Sequence, residues 1–227
     1  MPSSDTRARA VRLIDFCELT RQQMGGLLAI YREAFEASWE WPAEKVAALA
    51  TPAGCDAACC RALALLDGDQ PAAMAISEYL PHGNLWYLHY LAVERGRRNS
   101  GFGSALLKGI LPLGEGMAHA AGRPGCIGTL IEVEQVDSPP FTADRAQRQR
   151  RIAFYQRHGA QLAGFRVPRP PWAPPEMPDW EAMLIPGLAW DGRLDGAARR
   201  HLCGSLMVEG YGRSPGEPWL VSYLDTL

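Results

Sequence analysis

The sequence lacks an excess of charge of either sign, and it lacks long apolar runs. Its 227 residues carry 23 Lys and Arg against 25 Asp and Glu, so no polybasic field attracts nucleic acid or an anionic membrane. No apolar run approaches the roughly 20 residues that a membrane-spanning helix needs, and the polar start lacks the apolar core of a secretory signal. We therefore expect a cytoplasmic protein whose partners are neither nucleic acid nor membrane.

Paired cysteine motifs and the common nucleotide-binding motifs are also missing. The six cysteines form no Cys-x-x-Cys pair, and no histidine cluster accompanies Cys55, Cys59 and Cys60, which argues against a zinc site. The glycines match neither the Gly-x-Gly-x-x-Gly of dinucleotide folds nor the Gly-Lys-Ser/Thr of nucleotide P-loops. We expect reduced thiols and no bound metal.

Short apolar runs and helical patterns do alternate along the chain, which predicts an α/β fold. Helical spacing begins after Thr20, after Pro42 and after residue 101, and it returns at 144–158 and 193–208. A helix between the fourth and fifth strands predicts that these two strands are parallel. The predicted strands are 11–15, 61–66, 72–80, 85–93, 127–136, 162–167 and 180–185, with a further short strand at 219–223.

The segment 85–107 combines a strand, a glycine-rich loop and a helix. An apolar run ends at Val93, and Arg98-Asn99-Ser100-Gly101-Phe102-Gly103-Ser104 precedes the helical pattern. The first turn of a helix has unpaired amides and the positive end of the helix dipole. Gly101 and Gly103 let a ligand approach the backbone, and the arginines before them add positive charge. The sequence therefore predicts a pyrophosphate site.

These residues resemble the GNAT superfamily of acyl-CoA-dependent N-acyltransferases, whose loop reads Arg/Gln-x-x-Gly-x-Gly/Ala after a strand ending in Leu-Ala-Val. The resemblance implies a single mixed, mostly antiparallel sheet of about seven strands flanked by helices, in which the fourth and fifth strands splay apart. It also implies acetyl-CoA or another acyl-CoA as co-substrate. The implied cofactor-binding residues are Leu91, Ala92, Val93, Arg98, Asn99, Ser100, Gly101, Phe102, Gly103 and Ser104.

The segment 150–160 resembles the second GNAT hallmark, a helix that finishes in Tyr-x-x-x-Gly-Phe. Here Tyr155 precedes Gly159, but Ala160 replaces the aromatic residue and the upstream Asn of the family is not evident. The family's tyrosine faces the CoA sulfur, so the resemblance implies that Tyr155 is the general acid for the leaving thiolate. The alternative is an ordinary aromatic core residue.

Candidates for the general base lie on the fourth and fifth strands. His89 stands two residues before Leu-Ala-Val, where the similar arylalkylamine N-acetyltransferases carry one of two strand histidines, and Tyr87 takes the place of the other. An imidazole titrates close to neutral pH. A hydrogen-bonded core histidine is the competing interpretation, and Glu132 and Glu134 are alternative bases that would act through water.

The acceptor would be a cationic or aromatic amine. In GNAT-like folds the early helix–loop–helix borders the acceptor pocket, and the proline-rich loop 168–178 could cover it; a solvated or core position is the alternative for each residue. The candidate substrate-binding residues are Glu36, Trp39, Glu40, Tyr87 and Trp172, with Trp41 beside them.

The resemblance and these residues predict an N-acetyltransferase that passes the acetyl group of acetyl-CoA to a primary amine of a small molecule by direct attack in a ternary complex. A protein-lysine acetyltransferase is one alternative. A non-catalytic acyl-CoA-binding module is another, which the missing Asn and Ala160 favour. We expect an acyltransferase domain at 1–187 and an extension at 188–227, which packs on the same domain or forms a homodimer contact.

Overall fold

Seven strands form the sheet of the protein. The computed structural model describes residues 11–35, 40–55, 59–137, 145–168 and 180–227. In these ranges the strand order is β1-β2-β3-β4-β5-β7-β6. Strands β4 and β5 pair in parallel, whereas the pairs β1–β2, β5–β7 and β6–β7 are antiparallel. The strands are β1 (Val11–Asp15), β2 (Cys60–Asp67), β3 (Gln70–Leu80), β4 (Leu85–Val93), β5 (Gly128–Glu134), β6 (Gln161–Val167) and β7 (Trp180–Pro186).

Helices flank this sheet, which confirms the expected mixed, mostly antiparallel architecture. Thr20 caps the first helix as predicted: its side chain accepts the Gln23 N–H at 3.2 Å, and the Gln23 side chain accepts the Thr20 N–H at 2.9 Å. The helices are α1 (Arg21–Ala34), α2 (Ala43–Ala48), α3 (Pro52–Cys55), α4 (Phe102–Ala120), α5 (Arg145–Gln156), α6 (Gly196–Ser205) and α7 (Pro218–Leu224).

The strand predicted at 219–223 is wrong, because these residues belong to α7. Pro218 occupies the first helical turn, where a missing N–H costs nothing. Leu220 and Leu224, four residues apart, both pack on the same hydrophobic cluster, as one face of a helix does. Burial of that face therefore outweighs the β propensity of the local sequence.

The residues divide into two compact units, of which the first contains the described parts of 1–76 and 90–110. Its core is built from α1, α2 and strands β2, β3 and β4, with Leu27, Val46 and Met74 fully buried. A 3₁₀ turn at Arg95–Arg97 follows β4 and leads into the start of α4. This unit therefore contains the whole predicted pyrophosphate loop.

The second unit contains residues 77–89 and the described parts of 111–227. Leu130 and Leu184 from the sheet share one buried cluster with Leu202, Leu206 and Leu220 from the last forty residues. Residues after 187 thus contribute to the hydrophobic core of this unit, whereas the domain boundary suggested by the sequence stays a prediction. Among the described helices, none combines the length and apolar character needed to cross a membrane.

The parallel ladder between β4 and β5 is shorter than either strand. It joins Leu85–Leu88 to Gly128–Ile131, whereas β4 continues to Val93 and β5 to Glu134. The last residues of β5 remain paired with β7. The pairing of the fourth and fifth strands therefore ends at Leu88 and Ile131, and the splay that the resemblance implies stays a prediction.

Candidate active site

The glycine loop leads into the first turn of α4 through two residues in left-handed conformations. Asn99 and Gly101 adopt left-handed backbone conformations, with φ of 65° and 85°. The Ala105 N–H donates to the Gly101 carbonyl at 2.9 Å, so the amides of Phe102 and Gly103 precede the first helical hydrogen bond. Such amides have no acceptor inside a helix and can bind phosphate oxygens.

The space and charge around the loop fit a pyrophosphate. A Cβ atom built on Gly101 would have no heavy atom within 4 Å, so the protein leaves this side of the backbone open. Arg98 is exposed, and its Nε donates to the Val93 carbonyl at 3.3 Å. Arg97 is instead held by Asp67 at 2.6 Å and by Glu94 at 3.5 Å. Arg98 is thus better placed than Arg97 to meet phosphate.

A carboxylate between two phenols lies in the second unit. The Tyr87 hydroxyl donates to Glu132 Oε2, and the Tyr211 hydroxyl lies 2.8 Å from Oε1 and 3.0 Å from Oε2. We call Tyr87, Glu132 and Tyr211 the Tyr–Glu–Tyr cluster. Burial raises the pKa of Glu132, and the two hydrogen bonds only partly offset this effect. Burial and the nearby Glu132 charge raise the pKa of Tyr87 well above 10, so Tyr87 remains a hydrogen-bond donor.

His89 lies beside this cluster and has an acidic partner of its own. Its Nε2 is 3.0 Å from Glu78 Oε2, and its ring centroid is 4.2 Å from that of Tyr87. The His89 side chain is only 6% exposed. A carboxylate on one ring nitrogen orients an imidazole and stabilises its protonated form, as in catalytic bases of other enzymes. The arrangement is compatible with the base role predicted for His89.

The two glutamates predicted as alternative bases have different surroundings. Glu134 accepts from Arg148 Nε at 2.9 Å and lies 3.5 Å from Arg151 Nη1. Arg148 is fully buried and also donates to the Gln135 carbonyl at 3.1 Å. Both arginines belong to α5, so Glu134 fixes that helix to β5. Glu132 is the one of the two glutamates that remains suited to bind a substrate cation.

Tyr155 lies near the end of α5, where the chain turns toward β6. Its carbonyl accepts from the N–H groups of His158 at 2.9 Å and Ala160 at 3.1 Å, and Gly159 has a φ of 87°. Burial raises the pKa of Tyr155 to about 12, although the nearby Arg151 charge lowers it slightly. The phenol therefore keeps its proton throughout the neutral range, as a proton donor must.

The raised pKa of Tyr155 leads to a prediction about the stability of the protein at alkaline pH. Because its pKa in the folded protein exceeds the ordinary 10.0, its contribution to the free energy of unfolding is complete below pH 10 and is lost as the pH rises through about 12. The difference corresponds to about 3 kcal/mol. Urea unfolding between pH 9 and pH 12 should show a smaller loss of stability for Tyr155→Phe than for the wild type. If the wild type and Tyr155→Phe lost the same stability between pH 9 and pH 12, the raised pKa of Tyr155 would be contradicted.

The candidate acceptor residues fall in three places. Glu40 lies in the first unit, where its charge helps to raise the pKa of Tyr90, an effect second to burial. Trp41 packs edge-on to Tyr90 with ring centroids 5.5 Å apart, and its N–H donates to the Tyr90 hydroxyl at 3.0 Å; this favours a core role for Trp41. Tyr87 belongs to the second unit. Glu36, Trp39 and Trp172 lie outside the described residues.

Two polar residues of the site were not predicted from the sequence. Glu78 is a single acid within the apolar run of β3, a signal that could have been noticed. Tyr211 follows a π-helical turn, Leu206–Gly210, in a segment without a regular pattern, and nothing local connects it to Glu132. Within the described ranges no group of three or more His, Cys, Asp or Glu side chains could hold a metal ion.

Several solved structures have a similar fold. A protein from Bacteroides thetaiotaomicron assigned to the GNAT family aligns with a TM-score of 0.59 and 19% identity, over 90% of this chain and 99% of that one. Arabidopsis thaliana NAA60 in complex with acetyl-CoA aligns with a TM-score of 0.54 and 12% identity, over 79% and 99% of the two chains. A spermidine N-acetyltransferase SpeG chimera from Vibrio cholerae and hSSAT gives a TM-score of 0.55 and 13% identity, over 78% and 95%.

The sequence comparisons give the family. A search of curated proteins gave no match. Residues 25–160, more than half of the chain, match the family model described as Acetyltransferase (GNAT) family. This range contains the glycine loop, strands β4 and β5, and Tyr155. The chain therefore belongs to the GNAT family of acetyltransferases.

Proposed function

We propose that this protein transfers the acetyl group of acetyl-CoA to a primary amine of a small molecule, by direct attack in a ternary complex. The observation that carries the proposal is the open first turn of α4 behind Gly101, in a family that uses acetyl-CoA. The buried carboxylate of Glu132, which meets only phenols among the described residues, supports a cationic amine as acceptor.

Each step of the transfer has a candidate residue in this chain. Acetyl-CoA supplies an activated thioester. The loop residues Arg98 and Gly101 to Ser104 bind its pyrophosphate, and the backbone near Leu91 and Val93 holds the pantetheine arm. His89, oriented by Glu78, accepts the proton that the ammonium must lose before it can attack. Tyr155 donates a proton to the departing thiolate.

Binding of acetyl-CoA through the glycine loop is tested by thermal unfolding. A ligand that binds only the folded state raises Tm by mass action, so acetyl-CoA should raise Tm whereas NAD and ATP should not. Gly101→Ala should remove most of this shift, because a side chain at φ of 85° disturbs the turn that presents the amides.

Gly122→Ala is the matched control for this variant. Gly122 follows the other end of the same helix, has a φ of 75° and, like Gly101, has no heavy atom within 4 Å of a built Cβ. Both variants should lower the free energy of unfolding of the ligand-free protein by a similar amount, about 1–2 kcal/mol. Gly122→Ala should nevertheless keep the rise in Tm that acetyl-CoA causes. An unchanged Tm of the wild type at millimolar acetyl-CoA would refute the proposed function.

The alternative functions predict different results in thermal-shift and thiol-release assays. A non-catalytic acyl-CoA-binding module would show the thermal shift but release no CoA thiol with any amine. A protein-lysine acetyltransferase would release thiol with lysine-containing peptides and not with small amines. Thiol release with a panel of small amines and peptides therefore separates the three functions.

A further inference from the structure

The charge of Glu132 is not balanced by any basic side chain that the structure describes. Its hydrogen-bond partners there are the phenols of Tyr87 and Tyr211, its charge also raises the pKa of the Cys203 thiol, and none of these three groups is a cation. Glu134, two residues later on the same strand, meets the guanidinium groups of Arg148 and Arg151. Removing a carboxylate from water is costly, and the hydrogen bonds from the two phenols offset only part of the effect of burial on Glu132. Glu132 is therefore a site at which a cationic ligand would gain affinity.

The Glu132 carboxylate has the capacity to accept a hydrogen bond from a further donor. A carboxylate offers about four lone-pair positions. Tyr87 donates to Oε2, and Tyr211 lies within hydrogen-bond distance of both oxygens. Both hydroxyls are thus within reach of Oε2, whereas Oε1 is reached only by the Tyr211 hydroxyl. Glu132 also lies one residue beyond Ile131, where the β4–β5 ladder ends, so no β4 backbone pairs with its position.

Tyr211 reaches Glu132 because the chain makes a π-helical turn after α6. The Tyr211 N–H donates to the Leu206 carbonyl at 3.0 Å, and the Arg213 N–H donates to the Met207 carbonyl at 2.9 Å. Leu206 and Met207 are fully buried and anchor the turn. Gly210 packs so closely on Tyr87 that an added Cβ would lie 3.3 Å from its ring. Such turns frequently occur at functional sites.

We propose that Glu132 selects acceptors that carry a second positive charge besides the amine that is acetylated, and that Tyr211 is a positioning residue for Glu132. The attacking amine must be neutral, so it cannot compensate Glu132 during the reaction; a second ammonium group can. The substrate class is therefore a small diamine or polyamine. This inference rests on the proposed function and adds Tyr211 to its acceptor site.

A matched pair of amines tests the selectivity. 1,4-Diaminobutane and 1-aminopentane have the same number of heavy atoms and differ in the terminal ammonium. With acetyl-CoA and a thiol-release assay, wild-type kcat/KM should be about 100-fold or more higher for the diamine, in the range of discrimination by a paired polar group. Glu132→Gln should remove most of this preference, mainly through a higher KM for the diamine.

Tyr211→Phe tests the positioning role. Loss of its hydroxyl should lower the preference for the diamine about 10-fold through KM, because Glu132 loses one of its two donors. Tyr223→Phe is the control: it removes another hydroxyl of the C-terminal segment, which donates to the Arg166 carbonyl at 2.6 Å, and it should leave the preference intact. A Tyr211→Phe effect that is equal for both amines would identify a structural residue and overturn this role.

The wild-type measurement alone can overturn the inference without any variant. Equal kcat/KM for diamine and monoamine, with acetyl-CoA turnover, would leave the proposed function standing and refute the selection of a second charge. No thiol release with either amine, while acetyl-CoA still raises Tm, would refute small-amine acetylation itself. The failure of one proposal is thereby distinguished from the failure of the other.

Discussion

Replacing His89 by alanine is expected to lower kcat/KM about 100- to 10,000-fold at neutral pH, the usual contribution of a positioned general base. Wild-type kcat/KM should rise with pH as His89 loses its proton, and this limb should be absent from the variant. The reason lies in the geometry: the imidazole is nearly buried and its Nε2 is 3.0 Å from Glu78. Initial rates of thiol release between pH 6 and pH 10 provide the measurement.

Two further variants sharpen this experiment. Glu78→Gln removes the negative charge beside His89 and keeps the size of the side chain, so the limb should move to lower pH because the imidazolium loses its partner. His82→Ala is the control, since His82 also pairs with a glutamate, Glu209 at 3.2 Å, but its ring is exposed. Should His89→Ala leave rate and pH profile intact, the histidine belongs to the core and Glu132 becomes the candidate base.

The second large effect is expected for Tyr155→Phe, which should lower kcat about 10- to 1,000-fold. The phenol keeps its proton because burial raises its pKa to about 12, and phenylalanine preserves the ring without the donor. Binding should be affected little, so the Tm shift with acetyl-CoA should persist. Measuring both kcat and the acetyl-CoA-induced Tm shift for Tyr155→Phe distinguishes an effect on the chemical step from an effect on binding.

Tyr31→Phe is a suitable control for the loss of a buried phenol. The Tyr31 hydroxyl donates to the Trp41 carbonyl at 2.8 Å in the core of the first unit, so its removal should cost stability and leave kcat nearly unchanged. A kcat close to that of the wild type for Tyr155→Phe as well would make Tyr155 an ordinary core residue.

Local patterns in the sequence predicted most of the sheet and the complete glycine loop. The apolar run located β4 at Leu85–Val93 without error, and the order of strand, loop and helix is the one that the structure has. The same reasoning could not find Tyr211, because its partner Glu132 lies 79 residues earlier in the chain. The burial of Arg148 was not predicted either, because its partner Glu134 lies on another element; their ion pair explains why Arg148 is buried.

The strand order β5-β7-β6 has a consequence for synthesis of the chain on the ribosome. Strand β6 emerges before β7, yet β7 is its neighbour in the sheet, and β7 also covers the free side of β5. Until β7 is made, both β5 and β6 expose unpaired backbone to other chains. A register shift between Leu162 and Arg166 with Gly164 at a φ of 77° interrupts the regular edge of β6. Because β6 is the last strand of the folded sheet, this irregularity also makes it a poor template for pairing with other chains.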